Sequence, residues 1–165
     1  MVDSILRWPA LPLFHDRPGQ HDCTERSARE RNVYEITGWV RTWKIEKGTA
    51  DKPGDLDWHV ELTQGDTTDP LDCIVVEIPD PRYGVVFDSA RHDFLVLLGA
   101  SKPKKNGTVD PPVRLTFVGA AFFDGQHRGG KKSNRPPEGH GHCNSSTSAL
   151  WELHPVYAVH AAEPR

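Results

Sequence analysis

The sequence predicts a mainly β fold, a five-stranded OB-like Greek-key barrel with one short helix between strands three and four. Five segments are rich in β-branched and aromatic residues, and several alternate apolar with polar side chains. The 14 glycines and 14 prolines cluster between those segments, where turns and loops are expected. One apolar run with a helix-ending glycine follows the third segment, and this order of elements is the OB plan. A split sheet packed on one helix is the alternative.

The chain length is that of about one domain, since it has 165 residues. Residues 1–32 lack sustained periodicity and are expected to form an irregular arm, pinned to the domain by large apolar groups such as Trp8 and Phe14. Residues 33–165 are expected to form the barrel.

The first three strands follow each other closely in the sequence. The first begins at Val33, in "NVYEITGWVRTWKIEKG", where Gly38 indicates a bulge or a bend. The second and third, "LDWHVELTQ" and "LDCIVVEIPDP", are joined by the turn-rich "GDTTDP", which predicts a hairpin.

A helix is predicted over residues 88–98, with Asp88 or Ser89 as its cap and Gly99 at its end. The fourth and fifth strands are "VRLTFVGAAFFDG" and "ALWELHPVYAVH". The residues expected in the core are Trp58, Ile74, Val76, Phe117, Trp151 and Leu153.

Charge and hydropathy restrict the class of partner. The formal net charge is −3 and the sequence pI is about 6.3, so no global electrostatic attraction to nucleic acid or anionic membrane is expected. The N-terminal segment lacks the pattern of a signal peptide, and no apolar run is long enough to span a membrane. A cytoplasmic protein without membrane contact is therefore expected; the oligomeric state is left open.

The polar positions of strands two, three and five are acidic residues and histidines. In an OB barrel strand three lies between strands two and five, so these side chains form one patch, with His59 opposite Glu77. The patch is an ordinary solvated face, a binding face, or a metal or catalytic site. Its members are Asp57, His59, Glu61, Glu77, Glu152 and His154.

Imidazoles beside carboxylates are the donors that zinc, manganese and iron accept in proteins. The expected metal ligands, for Zn²⁺ or Mn²⁺, are His59, His142, Glu152 and His154, while Asp57 and Glu77 are expected as supporting carboxylates. His59, Glu152 and His154 are also the candidate catalytic residues. On this interpretation the protein is a metal-dependent hydrolase, acting on a phosphodiester.

A basic, glycine-rich loop before the last strand supports a different function, a binding module for single-stranded nucleic acid or a small polar ligand. Loops in this position of OB barrels commonly clamp oligonucleotides. The ligand would contact the face of Asp57, His59, Glu61 and Glu77 as well, although that acidic face opposes a phosphate backbone. The basic residues are Arg128, Lys131, Lys132 and Arg135.

The three cysteines, Cys23, Cys73 and Cys143, are an odd number without a C-x-x-C pair, which argues against a disulfide framework. One pair, Cys23 with Cys143, could still close in an oxidising compartment. The loops "HDRPGQHDC" and "EGHGHC" could instead supply His15, His21, Cys23, His140, His142 and Cys143 to a zinc ion, although their spacing matches no common zinc pattern.

Two motifs, "DLDWH" and "ELHPV", carry a resemblance over residues 33–158. The chain resembles a widespread group of uncharacterised bacterial proteins that have D-x-D-x-H on one strand and end in E-[IL]-H-P-V. The resemblance implies an OB-like fold and no particular activity. The site positions it implies are Asp55, Asp57, His59, Glu77, His142, Glu152 and His154.

Overall fold

The computed structural model describes residues 1–9, 29–48, 50, 53–101, 103–124, 143 and 150–164. Its elements in chain order are α1 (Val2–Ile5), β1 (Val33–Ile45), β2 (Trp58–Thr63), β3 (Cys73–Ile78), a 3-10 turn (Pro81–Tyr83), α2 (Val85–Leu98), β4 (Thr108–Phe123) and β5 (Trp151–Ala161).

The five strands close into a barrel in the order β1-β2-β3-β5-β4, with β4 paired to β1. All neighbouring strands are antiparallel except β3 and β5, which run parallel and meet at Val76 and Leu153. The mainly β fold of five strands, with one helix between the third and fourth, is therefore confirmed, and the strand order is the one expected of an OB-like barrel. The hairpin of β2 and β3 is also as predicted, since His59 lies opposite Glu77.

Apolar side chains from every strand fill the barrel. Val76, Phe117, Trp151 and Leu153 are fully buried, as predicted, and Trp58 is half-buried against the same core. Burying one such side chain contributes about 1.5–3 kcal/mol, so these positions carry much of the stability.

Helix α2 covers one end of the barrel. It begins at Val85 after Gly84, three residues before the predicted start, so neither Asp88 nor Ser89 is its cap. Phe94 is fully buried and its ring contacts those of Trp43 and Trp58 at 5.5 and 6.0 Å. Of the apolar run that predicted this helix, Phe94 and Leu98 are buried, whereas Leu95 and Val96 are exposed.

Gly38 has a packing role, and the irregularity of β1 lies further along the strand, between Val40 and Thr42. A Cβ on Gly38 would lie 2.9 Å from the Val2 side chain and 3.1 Å from Leu62 Cβ. Glycine is required because α1 approaches the strand closely here. The expected bulge at Gly38 is therefore displaced, and residues 2–5 of the arm are helical.

Among the residues that the structure describes, no helix is both long and apolar enough to cross a lipid bilayer.

Candidate functional site

The outer faces of β2 and β3 are buried, so the interpretation of this patch as a solvated face is wrong. Five of the six residues of β2 and all six of β3 are buried. On β3 the outer positions Cys73 and Val75 form a small buried cluster with Cys143, which is disulfide-bonded to Cys73. The chain that connects β4 to β5 therefore lies against this face at Cys143. Charged groups on a covered face lose water and need protein partners.

Glu77 lies at the centre of the site, on the outer face of β3. Its Oε1 is 3.3 Å from His59 Nδ1 on β2, and its Oε2 is 3.3 Å from His154 Nδ1 on β5. The strand order accounts for this contact, because β3 lies between β2 and β5. One carboxylate thus joins the two histidines that the sequence places on separate strands.

His154 lies among three carboxylates. Its Nε2 is 3.2 Å from Asp57 Oδ2, and its Nδ1 is 3.3 Å from Glu152 Oε1 as well as from Glu77. Burial alone would lower the pKa of this imidazole, but hydrogen bonds to Asp57 and Glu152 and the charge of Glu77 raise it to about 11. The His154 side chain is 28% exposed, whereas Glu152 is 1% exposed, so the site reaches solvent at His154.

His59 is held in the same way on the other side of Glu77. Its Nε2 is 3.4 Å from Glu61 Oε1, and its Nδ1 is 3.6 Å from Glu46 Oε1. Burial opposes the charged imidazole, yet hydrogen bonds to Glu61 and Glu77 raise its pKa to about 9. The His59 side chain is only 1% exposed, which makes those carboxylates necessary partners.

Backbone contacts fix the orientation of Asp57. Its own N–H donates to Asp55 Oδ1, and its Oδ1 accepts from the Asp80 N–H at 2.9 Å. Oδ2 is thereby directed to His154. The D-x-D-x-H pattern has a clear local function here, because its first carboxylate positions the second.

Arg91, on α2, forms hydrogen bonds with the backbone next to β2 and at the end of β3. Its guanidinium donates to the carbonyls of Leu56 and Ile78 at 2.7 and 3.0 Å, and it lies 4.7 Å from the centre of the Trp58 ring. The sequence contained a signal for it, since Arg91 is a charged residue on the helix face that also carries Phe94. Sequence reasoning overlooked it, together with Asp80 and Glu46.

Three of these side chains have the arrangement of a metal-binding group. Asp57, Glu77 and His154 each offer one ligand atom, and these atoms lie within 4.8 Å of one another. Mixed imidazole and carboxylate donors suit Zn²⁺, Mn²⁺ and Fe²⁺. Asp57 and Glu77, expected only as supporting carboxylates, are thus at ligand positions, and the expected ligand Glu152 contacts His154 beside them.

Other predicted positions lie outside the described residues. These are the expected ligand His142, the basic residues Arg128, Lys131, Lys132 and Arg135, and the loop residues His15, His21, Cys23 and His140. Two expectations for Cys143 are corrected, because its disulfide partner is Cys73. The bond excludes a Cys23–Cys143 pair, and it also removes Cys143 as a thiolate ligand for zinc.

Chemically, the site can hold a divalent cation, orient an imidazole between carboxylates, and exchange protons where His154 meets solvent. Comparisons with protein-family models, with curated proteins and with solved structures found no match for this chain.

Proposed function

We propose that the protein is a metal-dependent hydrolase whose ion binds where Asp57, Glu77 and His154 converge. Three donors, from β3, from β5 and from the residue that precedes β2, lie within 4.8 Å of one another, and this convergence is the main support for the proposal. Nε2 of His154 faces the ligand Asp57, and Glu152, which is outside the ligand group, lies 3.3 Å from Nδ1. When Nε2 binds the ion, Nδ1 stays fixed by Glu152, as is usual for metal-ligating histidines.

Three protein ligands and partial solvent access favour catalysis over a purely structural ion. Catalytic zinc sites keep one position for water, whereas structural sites are closed by four protein ligands. The bound ion supplies an activated water molecule near neutral pH. The partly exposed His154 marks the point at which a substrate could reach that water.

The proposed substrate class is a phosphodiester, and this part of the proposal rests on the sequence. Arg128, Lys131, Lys132 and Arg135 supply a local excess of positive charge in an otherwise acidic chain. A cation held by the carboxylates would reconcile that acidic face with an anionic substrate.

Metal content and turnover test the proposal together. Protein purified without a His tag is expected to contain close to one equivalent or more of a transition metal, and to hydrolyse bis(4-nitrophenyl) phosphate in an EDTA-sensitive reaction. His154→Ala should lose both properties. His92→Ala is the matched control, because His92 also pairs with a carboxylate, Asp93 at 3.2 Å, but on the exposed surface. Less than about a tenth of an equivalent of metal, with no thermal stabilisation by added Zn²⁺ or Mn²⁺, would falsify the proposal.

Binding of single-stranded nucleic acid or a small polar ligand stays a prediction. It needs the basic loop, which is outside the described residues, and the face of β2 and β3 that it would share is buried. A cytoplasmic location is likewise a proposal. The Cys73–Cys143 bond counts against it, since disulfides persist mainly in oxidising compartments.

A further inference from the structure

The two histidines are related by a near-symmetric arrangement about Glu77. On each side, a histidine Nδ1 lies 3.3 Å from one oxygen of Glu77. On each side, the same Nδ1 also faces a second glutamate, Glu152 at 3.3 Å from His154 and Glu46 at 3.6 Å from His59. The distal Nε2 faces one more carboxylate in both cases, Asp57 for His154 and Glu61 for His59.

We propose that a second divalent ion binds on the His59 side, so that Glu77 bridges two metals. The proposal rests on the proposed function, because the first ion is the one held with Asp57 and His154. The donors of the second ion are His59 Nδ1, Glu77 Oε1 and Glu46 Oε1.

The two donor separations from His59 Nδ1 match those between neighbouring ligands of one metal ion. Ligands at about 2.0–2.2 Å from one ion, spread at roughly tetrahedral or octahedral angles, lie about 2.8–3.6 Å apart. The separations from His59 Nδ1 are 3.3 Å to Glu77 and 3.6 Å to Glu46. Small side-chain movements would therefore allow His59, Glu77 and Glu46 to coordinate one ion.

Glu61 has the geometry of an outer carboxylate that orients a ligating histidine. It is 3.4 Å from Nε2, the nitrogen that faces away from Glu77, and its side chain is 2% exposed. A histidine that binds metal through one nitrogen usually donates its other N–H to such a group. Such a role explains why a glutamate occupies this covered position of β2, although an apolar side chain would cost less free energy to bury there.

A pair of ions would suit hydrolysis of the phosphodiester proposed above. Two-metal sites stabilise the attacking and the leaving oxygen of an in-line displacement. A metal-bound hydroxide would form the new P–O bond, the ester P–O bond would break, and the departing alkoxide would take a proton from water. Solvent reaches both sides, since His154 is 28% exposed and Glu46 is 40% exposed.

The experiment is a metal count on the full-length protein. Metal-free protein is titrated with Mn²⁺ by calorimetry and, after dialysis, analysed for metal, and the electron paramagnetic resonance spectrum is recorded. We expect two ions per chain and the spectrum of a spin-coupled pair. Glu46→Gln and His59→Ala should each reduce the count to one and abolish the coupling, and Glu61→Gln should weaken the second ion about 10–100-fold. The control His92→Ala should retain two ions.

The possible outcomes separate the two proposals. One ion in the wild type, or an unchanged count of two in both Glu46→Gln and His59→Ala, overturns the second site while the single-metal hydrolase stands. No ion overturns both. Glu46→Gln keeps the test valid even if His59→Ala fails to fold, because Glu46 lies at the surface, with its side chain 40% exposed.

Discussion

Glu77 is the only charged residue in the β3 sequence Cys73–Ile78, and its position determines the chemistry of the site. A buried carboxylate is costly unless hydrogen bonds and opposite charges compensate. Here the compensation comes from His59 and His154, one for each oxygen. Hydrogen bonds to Glu61 and Glu77 raise the pKa of His59, and hydrogen bonds to Asp57 and Glu152 with the charge of Glu77 raise that of His154. The metal-free site therefore holds protons that a metal ion must displace.

The stability of the metal-free protein should therefore fall as the pH rises through the alkaline range. Both histidines have folded-state pKa values above their ordinary value of 6.5, about 9 for His59 and about 11 for His154. Their stabilisation is full below pH 6.5 and is lost as the pH rises through about 9 and then about 11. Urea unfolding at pH 6, 8 and 10 measures the trend.

The control for this pH dependence is His59→Gln, which removes the first of the two titrations. The difference in unfolding free energy between wild type and variant should shrink as the pH rises from 6.5 to 9. A difference that stays constant or grows over that interval would contradict the assignment. Lysine and tyrosine titrations affect both proteins alike and cancel in the comparison.

Replacing Arg91 should destabilise the protein and loosen the metal site together. In Arg91→Met the carbonyls of Leu56 and Ile78 lose their guanidinium donor, at a cost of about 2–4 kcal/mol. Because Asp57 follows Leu56 directly, Mn²⁺ affinity should fall as well. Denaturation and metal titration measure the two effects. Arg114→Ala is the control, since its guanidinium donates to the Glu163 carbonyl in an exposed contact and its loss should cost less than about 1 kcal/mol.

At the scale of single residues, the sequence predicted partners better than it predicted burial. The pairing of His59 with Glu77 followed from centring the hairpin on its turn, which depends only on local spacing. Burial of the same face depends on a contact 70 residues apart, the bond between Cys73 and Cys143. Alternation of polar and apolar residues cannot reveal such a cover, because both solvated and covered polar positions produce it.

At the scale of elements, strand β5 contributes both to the core and to the site. Trp151 and Leu153 are fully buried in the barrel, while Glu152 and His154 alternate with them toward the outer face. This alternation was legible in "WELH", because period-two patterning is a property of the strand itself. The start of α2 could not be read from the sequence in this way. Its cap position is occupied by Gly84, which makes no side-chain hydrogen bond to the helix.

Trp151→Ala should cost about 3–5 kcal/mol of unfolding free energy. The indole is fully buried, lies 5.2 Å from the ring of Phe123 and 5.3 Å from that of Trp8, and donates its N–H to the carbonyl of Pro9. Its loss leaves a cavity between β5 and the N-terminal segment. Chemical denaturation measures the cost. His160→Ala, at an exposed position of the same strand, should stay within about 0.5 kcal/mol of wild type.

For the whole molecule, the disulfide should be a main source of stability. It closes a loop of 70 residues between β3 and the β4–β5 connection, and such a constraint on the unfolded chain is worth about 4 kcal/mol. Reduction, or Cys73→Ser with Cys143→Ser, should lower the unfolding free energy by about that amount. Cys23→Ser is the control and should leave it unchanged under oxidising conditions. Equal stability with and without reductant would contradict this expectation.

The strand order could be predicted from the order of the elements, because five strands with one helix between the third and fourth admit few compact arrangements. In the OB-like order the fifth strand lies beside the third, which brings His154 near Glu77 although 77 positions separate them in the sequence. The metal-binding group was less predictable. Which of the six polar side chains converge depends on backbone contacts such as the one from Asp80 to Asp57.

Binding of an anionic ligand depends on how charge is distributed over the whole surface. The net charge of −3 gives no general attraction, so binding of a single-stranded oligonucleotide must depend on local positive charge. Reversal of Lys131 and Lys132 to glutamate should weaken binding to all sequences alike, and affinity should fall steeply between low and high salt. Lys105→Glu with Lys47→Glu is the charge-matched control and should change affinity much less. Fluorescence anisotropy with a labelled oligonucleotide measures these effects, and an absence of binding at low salt would eliminate the nucleic-acid function.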